Sequence, residues 1–129
     1  MGKEIQIHIG KEVVTAELLT DLAPRTCRAI EAALPITGLL NHAKLVDREV
    51  LFQVPIFVDG RENDKRSEKG DLGFSNARQT ICIFYDDTIP LGPCATFGRI
   101  TGNLAGLQRE AAECWEKPGK RITITAKGR

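Results

Sequence analysis

A chain of 129 residues is long enough for one closed core and too short for two. Its 42% apolar and 27% charged residues are ordinary for a globular protein, and a formal net charge of +1 supplies no long-range field to recruit nucleic acid or an anionic membrane. No N-terminal apolar region and no apolar run near about 20 residues is present, so the expectation is one cytoplasmic domain over residues 1–129 with neither a nucleic-acid nor a membrane partner.

Ile5, Ile7 and Ile9 alternate with Glu4, Gln6 and His8, the period of a strand with one buried face. His8 therefore belongs to the polar face. Gly10-Lys11 reads as a two-residue hairpin turn with glycine first, and the return strand, residues 12–19, puts Val14, Ala16 and Leu18 on one face. Thr20 or Asp21 is then placed to cap a helix whose first turn tolerates Pro24. Ala23, Cys27, Ile30 and Leu34 recur at helical spacing, and Pro35 closes the element.

Residues 38–46 and 49–58 read as two strands joined at Asp47-Arg48. Val50, Phe52, Val54 and Ile56 share one face of the second, and Leu51, Gln53, Pro55 and Phe57 the other, so a strand covered on both sides is expected. Pro55 marks an edge, a bulge or the strand's end. The polar stretch 59–69 reads as an exposed loop. Between Gly70 and Gly106 the pattern is strand, strand, Pro/Gly-rich loop, strand and helix. Asn103 is placed as the helix cap, and Leu104, Leu107, Ala111 and Trp115 recur at helical spacing, with Trp115 a core or lid residue. Ile122, Ile124 and Ala126 give a last strand. Eight strands and two helices result, a mainly β chain best closed as a barrel, which leaves no exposed edge.

The four cysteines at 27, 82, 94 and 114 have no C-x-x-C spacing and stand in apolar surroundings, so reduced, buried thiols are expected. The two histidines and scattered cysteines lack metal-ligand spacing, and no phosphate loop, dinucleotide fingerprint or nucleophile elbow is present. Neither a metal nor a cofactor is expected.

The run Glu17-Leu18-Leu19-Thr20-Asp21-Leu22-Ala23-Pro24-Arg25-Thr26, with Ile30 four residues further on, is similar to the cyclophilin segment E-L-x-x-D-x-x-P-K/R-T-x-x-x-F. Phe97-Gly98-Arg99-Ile100, followed by Leu104, is similar to the run that leads into the second helix of that family. Gly70-Asp71-Leu72-Gly73-Phe74-Ser75 resembles its G-x-L-S-M-A strand. The resemblance implies a closed eight-stranded cyclophilin-like β-barrel with two α-helices covering its ends, and an isomerase activity on X-Pro bonds that uses an arginine in F-x-R-x-x-x-x-F-x-x-Q. Here Arg48, Phe52 and Gln53 stand at shifted spacing, which in a strand changes the face each side chain takes. Trp115, the one tryptophan, falls in a helix, and Cys94 replaces the family's histidine. The chain resembles the small bacterial cyclophilin-like proteins of unknown function more than the active isomerases, through His42-Ala43, Glu62-Asn63 and Leu104-Ala105-Gly106.

The candidate ligand-binding residues are His42, Phe52, Glu62, Asn63, Arg78 and Tyr85. An imidazole at His42 suits acid or base work. Glu62-Asn63 suits a lid that carries a carboxylate, and Arg78 a turn that meets an anionic or peptidic group. Catalytic residues are not identifiable. Three functions stay open: a small-molecule or peptide-binding protein, with a metabolic enzyme as one form of it; a prolyl isomerase with a rearranged site; and a homo-oligomeric assembly protein that uses residues 51–57 as its face.

Overall fold

A computed structural model describes residues 3–127; residues 1–2 and 128–129 of the expected 1–129 domain lie outside the described residues. The elements are β1 Glu4–Ile9, β2 Glu12–Leu18, α1 Pro24–Ala33, β3 Ile36–His42, β4 Glu49–Gln53, β5 Asp64–Lys65, β6 Asp71–Ser75, β7 Thr80–Phe84, β8 Cys94–Gly102, α2 Leu104–Glu113 and β9 Lys120–Ala126. Hydrogen-bonded neighbours run β2-β1-β9-β3-β4-β7-β6-β8, all antiparallel, and β2 pairs with β8 to close the barrel. The two-residue β5 is added at the edge of β8. The fold is thus a closed eight-stranded barrel with one extra strand and two helices.

Alternation fills the interior. Ile5, Ile7 and Ile9 meet Val14, Ala16 and Leu18 across the first hairpin, whose turn begins at Gly10 with φ +57°. Ile122, Ile124, Val50, Phe52, Ile81, Ile83, Leu72 and Phe97 complete the core. Helix α1 adds Thr26, Cys27 and Ile30, and α2 adds Leu107 and Ala111. Asn103 caps α2 as expected: it adopts φ +63° and its side chain accepts from the Gly106 amide at 3.2 Å.

Several expectations are corrected. β3 ends at His42, not Val46, and β4 ends at Gln53, not Val58. Val54, Ile56 and Val58 still alternate inward, but their backbone leaves the ladder next to Pro55, which has no N–H to donate. The Val54 amide donates to the Gln79 carbonyl (2.8 Å) and the Val58 amide to the Asn76 side chain (2.8 Å). The strand buried along its whole length is β7, while Phe57 is 70% exposed. Helix α1 starts at Pro24 after Ala23, and neither Thr20 nor Asp21 caps it. Trp115 lies beyond the end of α2 and is 44% exposed.

A candidate groove on the outer face of the barrel

The outer face of β4 and β7, with the segment after β3, carries a second, smaller apolar cluster: Val46, Cys82 and Phe84, with Ala43 and Leu51 packed on it. It exists because β4 and β7 pair Leu51 with Cys82 and Glu49 with Phe84, and inward Val50 and Phe52 turn those residues outward. Residues 43–46 and 86–93 rise over this face as two walls. Thr88 Oγ1 donates to Asp47 at 2.8 Å and Arg48 Nη1 to Asp86 at 3.3 Å, tying the walls together at one end. Arg61 holds the Pro93 carbonyl at 3.2 Å.

The groove between the walls has a volume of about 350 Å³. Leu51, Phe84, Pro90, Leu91 and Pro93 supply apolar lining, and Glu49, Arg78, Thr80, Cys82 and Cys94 the polar groups. Leu45 and Leu91 stand at its mouth, 81% and 73% exposed. Glu49 is 92% buried by its 8% exposure and has no ion-pair partner among the described residues. Burial pushes its carboxyl above the usual carboxylate range, and the Cys82 thiol and the more distant Arg78 charge oppose that only in part. An acid so held keeps its proton where an exposed glutamate has lost it, and can donate a hydrogen bond.

The six residues singled out from the sequence fall in three places. Arg78, exposed in the β6–β7 turn, lines the groove. His42 and Tyr85 come together near it but are buried, 6% and 4% exposed. The His42 Nδ1–H donates to the Ala43 carbonyl at 2.8 Å, which leaves Nε2 to accept from the Tyr85 hydroxyl at 2.7 Å. Trp115 closes over the imidazole edge-on, ring centres 5.0 Å apart, and Lys44 sits 3.9 Å above the indole. Removing the hydroxyl in Tyr85→Phe would leave Nε2 buried and unpaired. The expected loss is about 1–3 kcal/mol in urea unfolding; a change below about 0.5 kcal/mol would mean that water replaces the hydroxyl.

Phe52 faces the barrel interior, is fully buried and is not among the groove-lining residues. Glu62 and Asn63 meet other elements. Glu62 Oε1 accepts from the Thr26 amide (2.8 Å) and hydroxyl (3.0 Å), and Oε2 from the Arg25 amide (3.2 Å) and Nε (3.1 Å). It is the N-terminal cap that α1 lacks in its own sequence. Asn63, at φ +52°, donates from its side chain to the Thr96 carbonyl at 3.0 Å. Glu49, Cys82 and Cys94 were missed. Their alternation with apolar neighbours was visible, but the wall that turns an outer strand face into a groove was not.

This geometry defines a class: a closed antiparallel barrel with two helices and a groove on its outer face. The chain belongs to the Cyclophilin-like family, whose model matches residues 3–114. No curated protein matches it. Among solved structures, McbB in complex with tryptophan is 19% identical, with a TM-score of 0.84 over 97% of this chain; the match covers 45% of McbB, so the chain spans less than half of that protein. A hypothetical protein of Archaeoglobus fulgidus is 24% identical with a TM-score of 0.69, covering 97% of this chain and 95% of that one. A cyclophilin-type peptidyl-prolyl cis-trans isomerase of Cryptosporidium parvum, solved in the presence of the dipeptide Ala-Pro, is 15% identical with a TM-score of 0.72, covering 98% and 100%. These likenesses establish the fold. No helix among the described residues is long and apolar enough to cross a membrane.

Proposed function

We propose that the protein binds a small molecule or a short peptide in the groove between residues 43–46 and 86–93. The observation that carries this is Glu49, a buried carboxyl without an ion-pair partner among the described residues, in the lining of the groove. Burying such a group costs stability, and a ligand that satisfies it recovers that cost. The groove suits a ligand with an apolar body, a hydrogen-bond acceptor for Glu49 and an anionic end for Arg78. That McbB is described with tryptophan and the Cryptosporidium isomerase with Ala-Pro supports both ligand classes.

The isomerase alternative has less support. Arg48, its arginine, is 47% exposed in its side chain and held by Asp86 and Asp47 in the turn, outside the groove lining. The assembly alternative has less too, because on the outer face of residues 51–57 the exposed Gln53 separates Leu51 from the exposed Pro55 and Phe57.

Amide chemical-shift mapping with tryptophan and Ala-Pro as probes tests the reading. Shifts are expected at residues 43–46, 82–84 and 90–94, weakened about tenfold, near 1.4 kcal/mol, in Arg78→Ala for the carboxylate-bearing probes. Shifts confined to another face of the barrel, or none with either probe, would sink it.

A further inference from the structure

The groove floor also holds two thiols, and they meet over a glycine. Gly73 of β6 pairs with Cys82 of β7, and a Cβ placed on Gly73 would stand 2.4 Å from Cys94 Sγ. Cys94 therefore fills the space above Gly73 from the β8 side and meets Cys82 across it, with Glu49 against Cys82 from β4. Any side chain at position 73 would separate the thiols.

We propose that Cys94 is a nucleophilic thiol, backed by Cys82 and Glu49, that adds to soft carbon electrophiles such as α,β-unsaturated carbonyl compounds bound in the groove; this rests on the groove being the binding site. Three observations single out this thiol. Cys94 is the half-buried cysteine of the four and borders both the groove and a neighbouring cavity of about 330 Å³ lined by Thr26, Arg61 and Phe74. Cys27 and Cys114 are buried and spend their thiols on the Phe97 and Glu110 carbonyls, at 3.4 and 3.7 Å. The pair is also poorly placed to end as a disulfide: β6 lies between their strands, so the Cα atoms are at least two strand spacings, about 9–10 Å, apart, beyond the roughly 7 Å a disulfide spans. Among the described residues no three side chains are grouped to hold a metal ion.

The neighbouring Cys82 thiol, and after it Arg61, hold the Cys94 thiol below the usual thiol range against burial, Glu49 and Asp64. The Cys82 thiol is correspondingly pushed up, by Cys94 first and then by burial and Glu49. In the addition, the Cys94 thiol gives its proton to solvent and its sulfur bonds to the β-carbon, the carbon–carbon π pair moves to the carbonyl as an enolate, and the α-carbon takes a proton from the Glu49 carboxyl, which solvent then reprotonates. The net change is addition of S–H across the double bond, with no oxidant or reductant.

N-ethylmaleimide, followed by intact mass and peptide mapping between pH 5 and 9, tests this on the whole chain. One fast adduct at Cys94 is expected, with a rate midpoint below the about 8.5 of a free thiol. Its rate near pH 6 should exceed that of glutathione about tenfold and fall in Cys82→Ser. Labelling of Cys94 no faster than glutathione, or a midpoint unmoved from a free thiol's, overturns the proposal. Cys94→Ser should abolish the fast adduct, which places the label on this thiol. In the unaltered protein, slow labelling of Cys94 with the probe shifts present counts against the nucleophile alone, and absence of probe binding counts against the groove.

Discussion

Replacing Phe52 by alanine is expected to cost about 3–5 kcal/mol, a large share of the 5–15 kcal/mol that holds a typical domain folded. The ring is fully buried at the centre of the barrel, and it rests on Gly38 of β3, where an added Cβ would come within 2.5 Å of it. The glycine is a seat for the ring. Gly38→Ala is expected to destabilise by about 1–3 kcal/mol for the converse reason, overpacking against a ring with nowhere to move. Equilibrium urea unfolding checks both. A ligand-contacting phenylalanine would behave differently, losing affinity with little loss of stability. If Phe52→Ala unfolds within about 1 kcal/mol of the parent, the ring is not the core residue described here.

Glu62→Ala is expected to cost about 2 kcal/mol, at the upper end for a helix cap, because four donors at the start of α1 lose one carboxylate and Thr26 is buried. The pH dependence gives the sharper readout. Burial alone would raise the Glu62 carboxyl, but the Thr26 and Arg25 amides, then the Thr26 hydroxyl and the Arg25 guanidinium, outweigh it and hold the group at about 2. A folded-state value below that of the unfolded chain means that the stabilisation is fully present above about pH 5. It drains away as pH falls towards about 2, where both states bind the proton. Glu62→Gln should therefore lie well below the parent at pH 7 and converge with it near pH 2. A stability gap that stays constant over that range would show that the carboxylate charge contributes nothing.

Both variants concern residues that the sequence marked as ligand candidates; the structure buries Phe52 in the core and bonds Glu62 to the start of α1. Phe52 stood in an alternating run with apolar residues on both faces, so either face could have been the buried one. The choice was made by β7 and β3, whose pairing turns Val50 and Phe52 inward over Gly38. Glu62 lay in the most polar stretch of the chain, where nothing local showed that its partner stood 36 residues earlier. The missing cap of α1 was the available signal: Ala23 precedes Pro24, and no Ser, Thr, Asp or Asn stands at that position. A helix without its own cap asks for a remote one.

Alternation of isoleucines, valines and leucines determined the strands, because a period of two has one physical solution when one face is buried. Pro24 and Asn103 determined where the helices begin, through local backbone chemistry. These local rules, with the cyclophilin-like segments at both ends of the chain, carried the barrel and its two helices. The groove was decided elsewhere. Glu49, Cys82 and Cys94 lie on three strands, brought together by registers on either side of Gly73, and they are enclosed only because residues 86–93 fold back over an outer face. An outward residue in a strand pattern reads as solvent-facing. Burial of such a residue depends on which distant loop covers it, and the spacing of side chains along one strand holds no record of that.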